Sequence, residues 1–329
     1  ADRSRARAAG AVRRMAVRRR GKDVTESSSS ADRAVWRGIF TIPVTPFDED
    51  TELDLDSLCR QLDFCVEAGA AGIVHPVMAS EFFTLSDEER LRLMPLVTRQ
   101  VGGRIPVVIG VAATSIQGAR AFSQAARDAG ADAVIAMPPY VTKFAPDDVL
   151  RYFEAIARAA RVPVFVQNAG VAAMGSATLL KLIREVEGIH YVKEEVAPAH
   201  HNISRLVEAA EPKLWGVFGG GGAQNLLDEL RRGAAGNMPA SQYTDVVSRL
   251  FTLWDTGRHA EARELHRRLM PAMQRERLGG VASAKEVLRR RGIIKCARTR
   301  GAGTPLDDHD RAELDALWPE LQELFTYKD

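Results

Sequence analysis

Residues 106–137 read PVVIGVAATSIQGARAFSQAARDAGADAVIAM. The apolar runs at 106–111 and 133–137 have the composition of buried strands, and residues 115–129 between them have the spacing of an amphipathic helix. Gly130 stands where this helix should end. A strand, a helix and a second strand in this order predict a parallel sheet that is covered by helices.

The same alternation continues towards both ends of the chain. It predicts eight strands, at residues 39–44, 72–77, 106–111, 133–137, 163–167, 190–193, 214–218 and 234–238. The helices predicted between them lie at residues 55–68, 86–100, 115–129, 146–160, 176–186, 199–210 and 223–232. Ser86 and Glu89 have the spacing of a capping box. Eight such units favour an α/β fold closed into a (β/α)8 TIM barrel.

The chain divides into three predicted regions. These are a disordered basic leader at 1–35, the barrel at 36–240 and a C-terminal helical extension at 241–329. The extension contains only helical patterns, at 243–256, 259–273, 284–290 and 311–325. Hydrophobic residues make up 46% and charged residues 27%, which excludes wholesale disorder and coiled-coil or collagen-like classes.

The leader carries most of the positive charge. Residues 1–22 contain eight Arg and Lys22 against Asp2, so the remaining chain is mildly acidic although the formal net charge is +2. A nucleic-acid or membrane-binding arm, a targeting peptide and an unstructured leader without function are the open interpretations. The last is favoured because polar tails are usually disordered, so neither nucleic acid nor membrane is a predicted partner.

Apolar runs and cysteines predict the compartment. No apolar run reaches the 18 residues typical of a membrane span, which predicts a soluble protein. Cys59, Cys65 and Cys296 lack both C-x-x-C spacing and the density of a disulfide scaffold. This pattern indicates a reducing compartment, which we expect to be the cytoplasm.

Lys193 is the first candidate catalytic residue. In this fold the carboxyl ends of the strands build the active site, and the apolar run at 190–193 ends in an ammonium group. A desolvated lysine is neutral more often, and a neutral amine can attack a ketone to form a Schiff base. The alternative is a lysine that faces solvent at the end of a strand.

Two further candidates follow neighbouring strands. Tyr140 comes after Pro138 and Pro139 at the end of strand 4, where it could shuttle a proton or simply pack on the rim of the barrel. Glu81 follows strand 2, where it could act as an acid or base or could cap a helix near Ser86. Both assignments stay open at this level.

The glycine run at 219–222 is a candidate anion site. Backbone amides of glycine can approach a carboxylate or phosphate closely, and the predicted helix that follows would add its positive end. A flexible turn is the alternative interpretation. The seven histidines form no metal-binding motif, and there is no dinucleotide or P-loop fingerprint, so neither a metal nor a cofactor is predicted.

Several of these segments together resemble a known family. They are Pro43-Val44-Thr45-Pro46-Phe47, Gly72-Ile73-Val74, Glu81 with Leu85-Ser86-Asp87-Glu88-Glu89-Arg90, Pro106-Val107-Val108-Ile109-Gly110-Val111, Pro138-Pro139-Tyr140, Asn168 and Val192-Lys193-Glu194. Over roughly residues 36–325 the chain resembles the dihydrodipicolinate synthase and N-acetylneuraminate lyase superfamily. The resemblance implies that Lys193 condenses with the C2 ketone of a 2-oxo acid and that Tyr140 joins the proton relay.

The resemblance also assigns substrate contacts. The family motif Gly-Thr-Thr-Gly-Glu after strand 2 reads Val77-Met78-Ala79-Ser80-Glu81 here, and only the glutamate is retained. Ser80 and the backbone around Ala79 are therefore the implied holders of the substrate carboxylate. The full set of predicted substrate-binding residues is Ala79, Ser80, Glu81, Gln167, Asn168, Gly219 and Gly220.

Two departures from the family pattern narrow the predicted reaction. Gln167 replaces the catalytic tyrosine after strand 5, and a glutamine cannot exchange a proton near neutral pH. Residues 171–173 read VAA where the lysine-pathway enzyme has an arginine for its second substrate. Both changes argue against dihydrodipicolinate synthesis, and the pair Gln167-Asn168 looks more like the branch that handles 2-keto-3-deoxy sugar acids.

We therefore expect a class I lyase that dehydrates or cleaves a 2-keto-3-deoxy sugar acid. A pyruvate-dependent aldolase, including the dihydrodipicolinate synthase type, is one alternative. A family member that binds a 2-oxo acid without turning it over is the other. The resemblance further implies a homotetramer whose only ligand is its small-molecule substrate.

Overall fold

A computed structural model describes residues 35–142, 144–301 and 303–327 of the chain. The predicted leader, apart from residue 35, lies outside these described residues. Eight parallel strands close into a barrel in which β8 pairs with β1. The strands are β1 (Gly38–Thr41), β2 (Gly72–His75), β3 (Val107–Gly110), β4 (Ala133–Ala136), β5 (Val164–Asn168), β6 (Ile189–Glu194), β7 (Gly216–Gly219) and β8 (Gly236–Asn237). The predicted TIM barrel is confirmed.

Helices alternate with the strands and continue after β8. They are α1 (Leu55–Glu67), α2 (Asp87–Val101), α3 (Ile116–Asp128), α4 (Pro146–Ala160), α5 (Ser176–Glu185), α6 (Ala199–Glu208), α7 (Leu226–Arg231), α8 (Thr244–Asp255), α9 (His259–Arg290) and α10 (Asp308–Leu324). Helix α8 packs in one apolar cluster with Ile39 of β1 through Val246, Val247 and Leu250. It therefore closes the ring of helices around the barrel, and α9 and α10 form the extension beyond it.

Local sequence signals account for several helix ends. Ser86 Oγ accepts a hydrogen bond from the Glu89 amide at 3.1 Å, and the Glu89 carboxylate accepts one from the Ser86 amide at 2.9 Å. This confirms the predicted capping box of α2. Gly130 has a φ of +84° just after α3, a conformation that glycine adopts without steric cost. The two helical patterns at 259–273 and 284–290 are instead one element, α9, which is interrupted at Gly280.

Aromatic side chains fill the amino-terminal half of the barrel interior. Phe165 and Tyr191 stack at 4.4 Å between ring centroids, and Trp36 stacks on Tyr191 at 5.4 Å. Side chains along a strand alternate between its two faces, so Gln167 and Lys193 follow Phe165 and Tyr191 on the interior face. The next interior layer, at the carboxyl end of the barrel, is therefore polar.

Candidate active site

Lys193 lies at the carboxyl end of β6, inside the barrel. Its side chain is only 3% exposed, and its strand register places it beside Gln167 of β5. The solvent-facing alternative for this lysine is therefore wrong. Burial of an ammonium group is costly unless a partner compensates it, and the Lys193 Nζ lies 3.1 Å from Glu195 Oε1.

Glu195 connects Lys193 and Gln167, the two predicted residues of this layer. Its second oxygen, Oε2, accepts a hydrogen bond from Gln167 Nε2 at 2.8 Å, so one carboxylate links the amine of Lys193 to the amide of Gln167. A Cβ atom on Gly220 would overlap the Glu195 carboxylate, and glycine at this position leaves room for it. The sequence pattern assigned no role to Glu195, although residues two apart along a strand point to the same face and Glu195 follows Lys193 by two.

Asn168 and Glu194 lie on the opposite face of the strands from this layer, where they form a hydrogen bond with each other. Asn168 is fully buried, its Nδ2 donates to Glu194 Oε2 at 2.8 Å, and its Oδ1 accepts from the Met174 amide at 2.7 Å. Burial raises the pKa of Glu194 above its usual range. The amide of Asn168 is thus engaged in holding the segment after β5, which contrasts with its predicted contact with substrate.

The segment after β2 is anchored to the segment after β1. Ser80 Oγ donates to the Pro43 carbonyl at 2.7 Å, and Thr45 Oγ1 donates to the Ser80 carbonyl at 2.6 Å. Ser80 is completely buried, whereas Ala79 is partly exposed and lines a cavity at the mouth of the barrel. The hydroxyl proton of Ser80 is therefore used within the protein.

Glu81 points towards the helical extension. Its Oε1 lies 2.5 Å from Lys285 Nζ of α9, and both side chains are fully buried. Its Oε2 accepts a hydrogen bond from the Arg300 amide at 2.9 Å. Burial lowers the pKa of Lys285, and Glu81 opposes that shift. The structure thus places Glu81 in a buried ion pair, apart from the Lys193–Glu195 pair.

Tyr140 lies at the rim of the barrel, after β4. Its ring packs edge-on against Phe82 at 5.6 Å between centroids, and partial burial raises the pKa of Tyr140 above its usual value. The ring also lines a cavity of about 560 Å³ between the segments that follow β4 and β5. Val141 and Val171 line the same cavity and are 75% and 60% exposed.

Carboxyl groups surround the glycine run at 219–222. A Cβ on Gly219 would overlap the Glu229 carboxylate, and one on Gly222 would lie 3.0 Å from the Glu276 carboxylate oxygens. Glu195 occupies the corresponding space at Gly220. Burial raises the pKa of Glu229 and of Glu276 to about 7. These acidic surroundings oppose the predicted binding of an anion, and the glycines instead make room for side chains.

The helix predicted to help bind an anion at this run begins later than expected. Helix α7 spans Leu226–Arg231, and a short 3₁₀ turn at Gly221–Ala223 separates it from the glycines. Glu229 of α7 accepts a hydrogen bond from Asn237 Nδ2 at 2.7 Å. In the part of the chain that the structure describes, no group of three His, Cys, Asp or Glu residues could hold a metal ion.

Comparisons with known proteins agree on one family. Residues 35–320 match the Dihydrodipicolinate synthetase family. The chain is 32% identical over 304 residues to L-2-keto-3-deoxyarabonate dehydratase of Azospirillum brasilense, with 91% of this chain and 98% of the relative covered. It is 26% identical over 290 residues to 4-hydroxy-tetrahydrodipicolinate synthase of Bacillus subtilis, with 86% and 98% covered.

Solved structures give the same picture. A prophage protein of the dihydrodipicolinic acid synthase family from E. coli K12, solved in complex with pyruvate, superposes with a TM-score of 0.80 at 27% identity, covering 88% of this chain and 99% of that one. The 4-hydroxy-tetrahydrodipicolinate synthase of Methylacidiphilum fumariolicum superposes with a TM-score of 0.81 at 26% identity, covering 88% and 96%. None of the described helices combines the length and the apolar composition that a membrane span requires.

Proposed function

The chain belongs to the dihydrodipicolinate synthetase family, and from this premise we propose that it dehydrates a 2-keto-3-deoxy sugar acid through an imine on Lys193. Enzymes of this family are class I lyases, which form a Schiff base between a lysine and a 2-oxo acid. The observation that carries the proposal is the buried Lys193–Glu195 pair at the carboxyl end of the barrel. The similarity to an arabonate-type dehydratase supports the substrate class.

Imine formation needs an amine that has lost its proton. Glu195 Oε1, 3.1 Å from the Lys193 Nζ, is placed to take that proton. The free amine then attacks the C2 ketone, and the resulting carbinolamine loses its hydroxyl group as water with a proton returned by Glu195. The product is a protonated imine, which withdraws electrons from C3.

Dehydration follows from this electron withdrawal. A base removes one proton from C3, and the electron pair of that C–H bond forms an enamine. The enamine expels the C4 hydroxyl, which leaves as water after it receives a proton. Glu195, oriented by its hydrogen bond from Gln167, is the proposed carrier of this proton from C3 to the C4 hydroxyl. Hydrolysis of the imine then frees the product and Lys193.

Other predicted residues take supporting roles in this proposal. Tyr140 at the rim remains a candidate proton donor, and the backbone around Ala79 and Ser80 remains the candidate holder of the substrate carboxylate. Glu81 and Asn168 act through the segments that they hold. An aldolase that releases pyruvate is the alternative, and it would require proton removal from the C4 hydroxyl instead of C3.

The test of the proposal is reductive trapping of the imine. The protein is incubated with pyruvate and borohydride, and the adduct is located by intact-mass and peptide mass spectrometry. We expect an adduct on residue 193 that is lost in Lys193→Ala and kept in Lys213→Ala, the matched change of an exposed lysine. An adduct that persists in Lys193→Ala, or none on the native chain, would refute the proposal.

Imine trapping together with a turnover assay separates the roles of Lys193 and Glu195. We expect Glu195→Gln to keep enough adduct for detection over long incubation but to lower the rate of dehydration about 10²- to 10⁴-fold, since positioned acid–base groups contribute this much. The substrate is L-2-keto-3-deoxyarabonate, and the products are analysed for a dehydrated acid and for free pyruvate. Unchanged turnover in Glu195→Gln would contradict its role, and pyruvate as the main product would identify an aldolase.

We further propose that the protein works in the cytoplasm as a homotetramer. The family resemblance supports the tetramer. The cysteines support a reducing compartment, because Cys59, Cys65 and Cys296 are all free thiols in the fold.

A further inference from the structure

Glu229 is a buried acid that the proposed mechanism does not use. It lies on α7 and is only 1% exposed. In the part of the chain that the structure describes, no cationic side chain forms an ion pair with it, and its neighbours Arg231 and Arg232 pair with Asp228 instead. A charged carboxylate is costly in such surroundings, and burial raises the pKa of Glu229 to about 7. At pH 6 this side chain is therefore mostly a neutral acid.

One side chain of β8 links Glu229 to the segment that follows β7. Asn237 is fully buried, and its Nδ2 donates one hydrogen bond to Glu229 Oε2 at 2.7 Å and another to the Gly220 carbonyl at 3.0 Å. The Met238 amide donates to the Gly219 carbonyl at 3.0 Å. Both carbonyl groups of this glycine pair are therefore held by β8, and Glu229 orients the side chain that holds the second one.

The same glycine pair separates Glu229 from the Glu195 carboxylate. A Cβ atom on Gly219 would overlap the Glu229 carboxyl group, and a Cβ atom on Gly220 would overlap that of Glu195. Successive residues of an extended chain face opposite sides, so Glu229 lies behind the barrel wall and Glu195 lies in front of it. After burial, the charge of Glu195 also raises the pKa of Glu229, so the two groups are close enough to interact. A displacement of the glycine pair would therefore displace the Glu195 carboxylate.

We infer that Glu229 is a positioning residue for the proposed reaction. Through Asn237 it fixes the segment Gly219–Gly220, and this segment keeps the Glu195 carboxylate where it can exchange protons with Lys193. The inference rests on the proposed function and deepens it. Glu229 contacts neither Lys193 nor the reacting atoms, so its substitution should affect the reaction only through Glu195.

An apolar side chain at position 229 should slow the reaction. Glu229→Leu removes the acceptor that orients Asn237. At pH 6 we expect the rate of imine trapping with pyruvate, and kcat for L-2-keto-3-deoxyarabonate, to fall on the order of 10²-fold, as for a small misplacement of a catalytic group. Glu229→Gln keeps a neutral acceptor for Asn237 and should retain both rates. Asp228→Asn, at the partly exposed neighbouring acid of α7, is the matched control and should retain them too.

A second background distinguishes positioning from a general weakening of the fold. Glu195→Gln lacks the carboxylate that Glu229 is inferred to position, so adding Glu229→Leu to it should change the trapping rate by no more than about 2-fold. A residue with a merely structural role would lower the rate by the same factor in both backgrounds. Circular dichroism of each variant at pH 6 verifies that the compared proteins are folded.

Gly220→Ala tests the same contact from inside the barrel, and it serves also if Glu229→Leu does not fold. Its methyl group would overlap the Glu195 carboxylate. We therefore expect it to slow trapping in the native background but not in Glu195→Gln. Normal trapping by Gly220→Ala would show that this contact does not position Glu195 and would refute the inference.

The remaining outcomes separate the inference from the proposed function. Equal trapping rates of the native protein and Glu229→Leu, or equal losses in both backgrounds, would refute the inference while the proposed function stands. Full activity of Glu195→Gln would remove the residue through which Glu229 is inferred to act, and would refute it as well. If the native protein traps no pyruvate, the proposed function itself fails.

Discussion

The residues at the carboxyl ends of β5 and β6 form two groups, because their side chains point to opposite faces of the strands. Gln167, Lys193 and Glu195 form one hydrogen-bonded layer, while Asn168 and Glu194, which alternate with them, pair with each other. Strand alternation explains this division, since neighbouring residues point to opposite faces. The layer with the proposed catalytic residues and the layer behind it thus occupy adjacent positions in the sequence.

Glu229 should make the stability of the protein depend on pH. Burial raises its pKa to about 7 in the folded state, whereas an unfolded glutamate has a pKa of about 4.3. The folded protein therefore binds this proton more tightly, and the free energy of unfolding falls as the pH rises from about 4.3 through 7. Burial also raises the pKa of Glu276, so this residue contributes to the pH dependence with the same sign.

We expect Glu229→Gln, which resembles the protonated acid, to reduce this fall. Between pH 4.5 and pH 8, the free energy of unfolding of the native protein should fall by on the order of 3 kcal/mol more than that of the variant. This follows from about 1.4 kcal/mol per unit of pKa shift. Urea unfolding followed by circular dichroism at several pH values measures the difference. Glu261→Gln, at an exposed site, is the control, and parallel profiles of native protein and Glu229→Gln would contradict the prediction.

At the level of elements, α9 stabilises the segment that follows β2. Lys285 of α9 pairs with Glu81 and also donates to the Arg298 carbonyl at 2.7 Å. Its Nζ lies 4.2 Å from the centroid of the Phe47 ring, in the segment after β1. One lysine of the extension therefore contacts the segments that follow β1 and β2 and the chain that follows α9.

Removal of Lys285 should be strongly destabilising. We expect Lys285→Met to lower the free energy of unfolding by about 3–5 kcal/mol, because a buried carboxylate at Glu81 would lose its partner. The double variant Glu81→Gln with Lys285→Met should recover a large part of this loss, since neither charge of the buried pair remains. Urea unfolding of both variants is the measurement, and equal stabilities of the single and double variants would argue against the ion pair as the cause.

For the whole molecule, the barrel interior changes along its axis from an apolar amino-terminal half to a polar carboxyl end. Aromatic rings of Trp36, Phe165 and Tyr191 fill its amino-terminal half, and the polar layer with Lys193 follows at the carboxyl end. Apolar side chains nevertheless remain exposed at the rim, where Val141 and Val171 line one cavity. Exposed apolar patches of this kind are typical of contact surfaces between proteins.

Substitutions on this surface test the proposed tetramer. Light scattering after gel filtration should give about four times the chain mass of 36.0 kDa, and the double variant Val141→Lys with Val171→Lys should give a smaller assembly because it places charge in the contact. Val35→Ala, at an exposed apolar residue away from the rim, is the control. A native protein that elutes as an active monomer would exclude the tetramer.

Several features of this protein follow from its sequence alone. The βα alternation predicts the barrel because the periods of strands and helices are local properties of the chain. Lys193 is recognisable because an ammonium group ends an apolar run, and Ser86 with Glu89 because a capping box spans four residues. Each of these signals lies within a single element or its boundary.

Tertiary contacts determine the rest. The pairing of Glu81 with Lys285, the link from Gln167 through Glu195 to Lys193, and the carboxyl groups around the glycine run join elements that are distant in the chain. No local pattern marks such partners, since each depends on where a different element places its side chain. Glu81 and the glycines thus have neighbours that no local pattern predicts, and the place of Glu195 in the polar layer follows only from its contacts with Lys193 and Gln167.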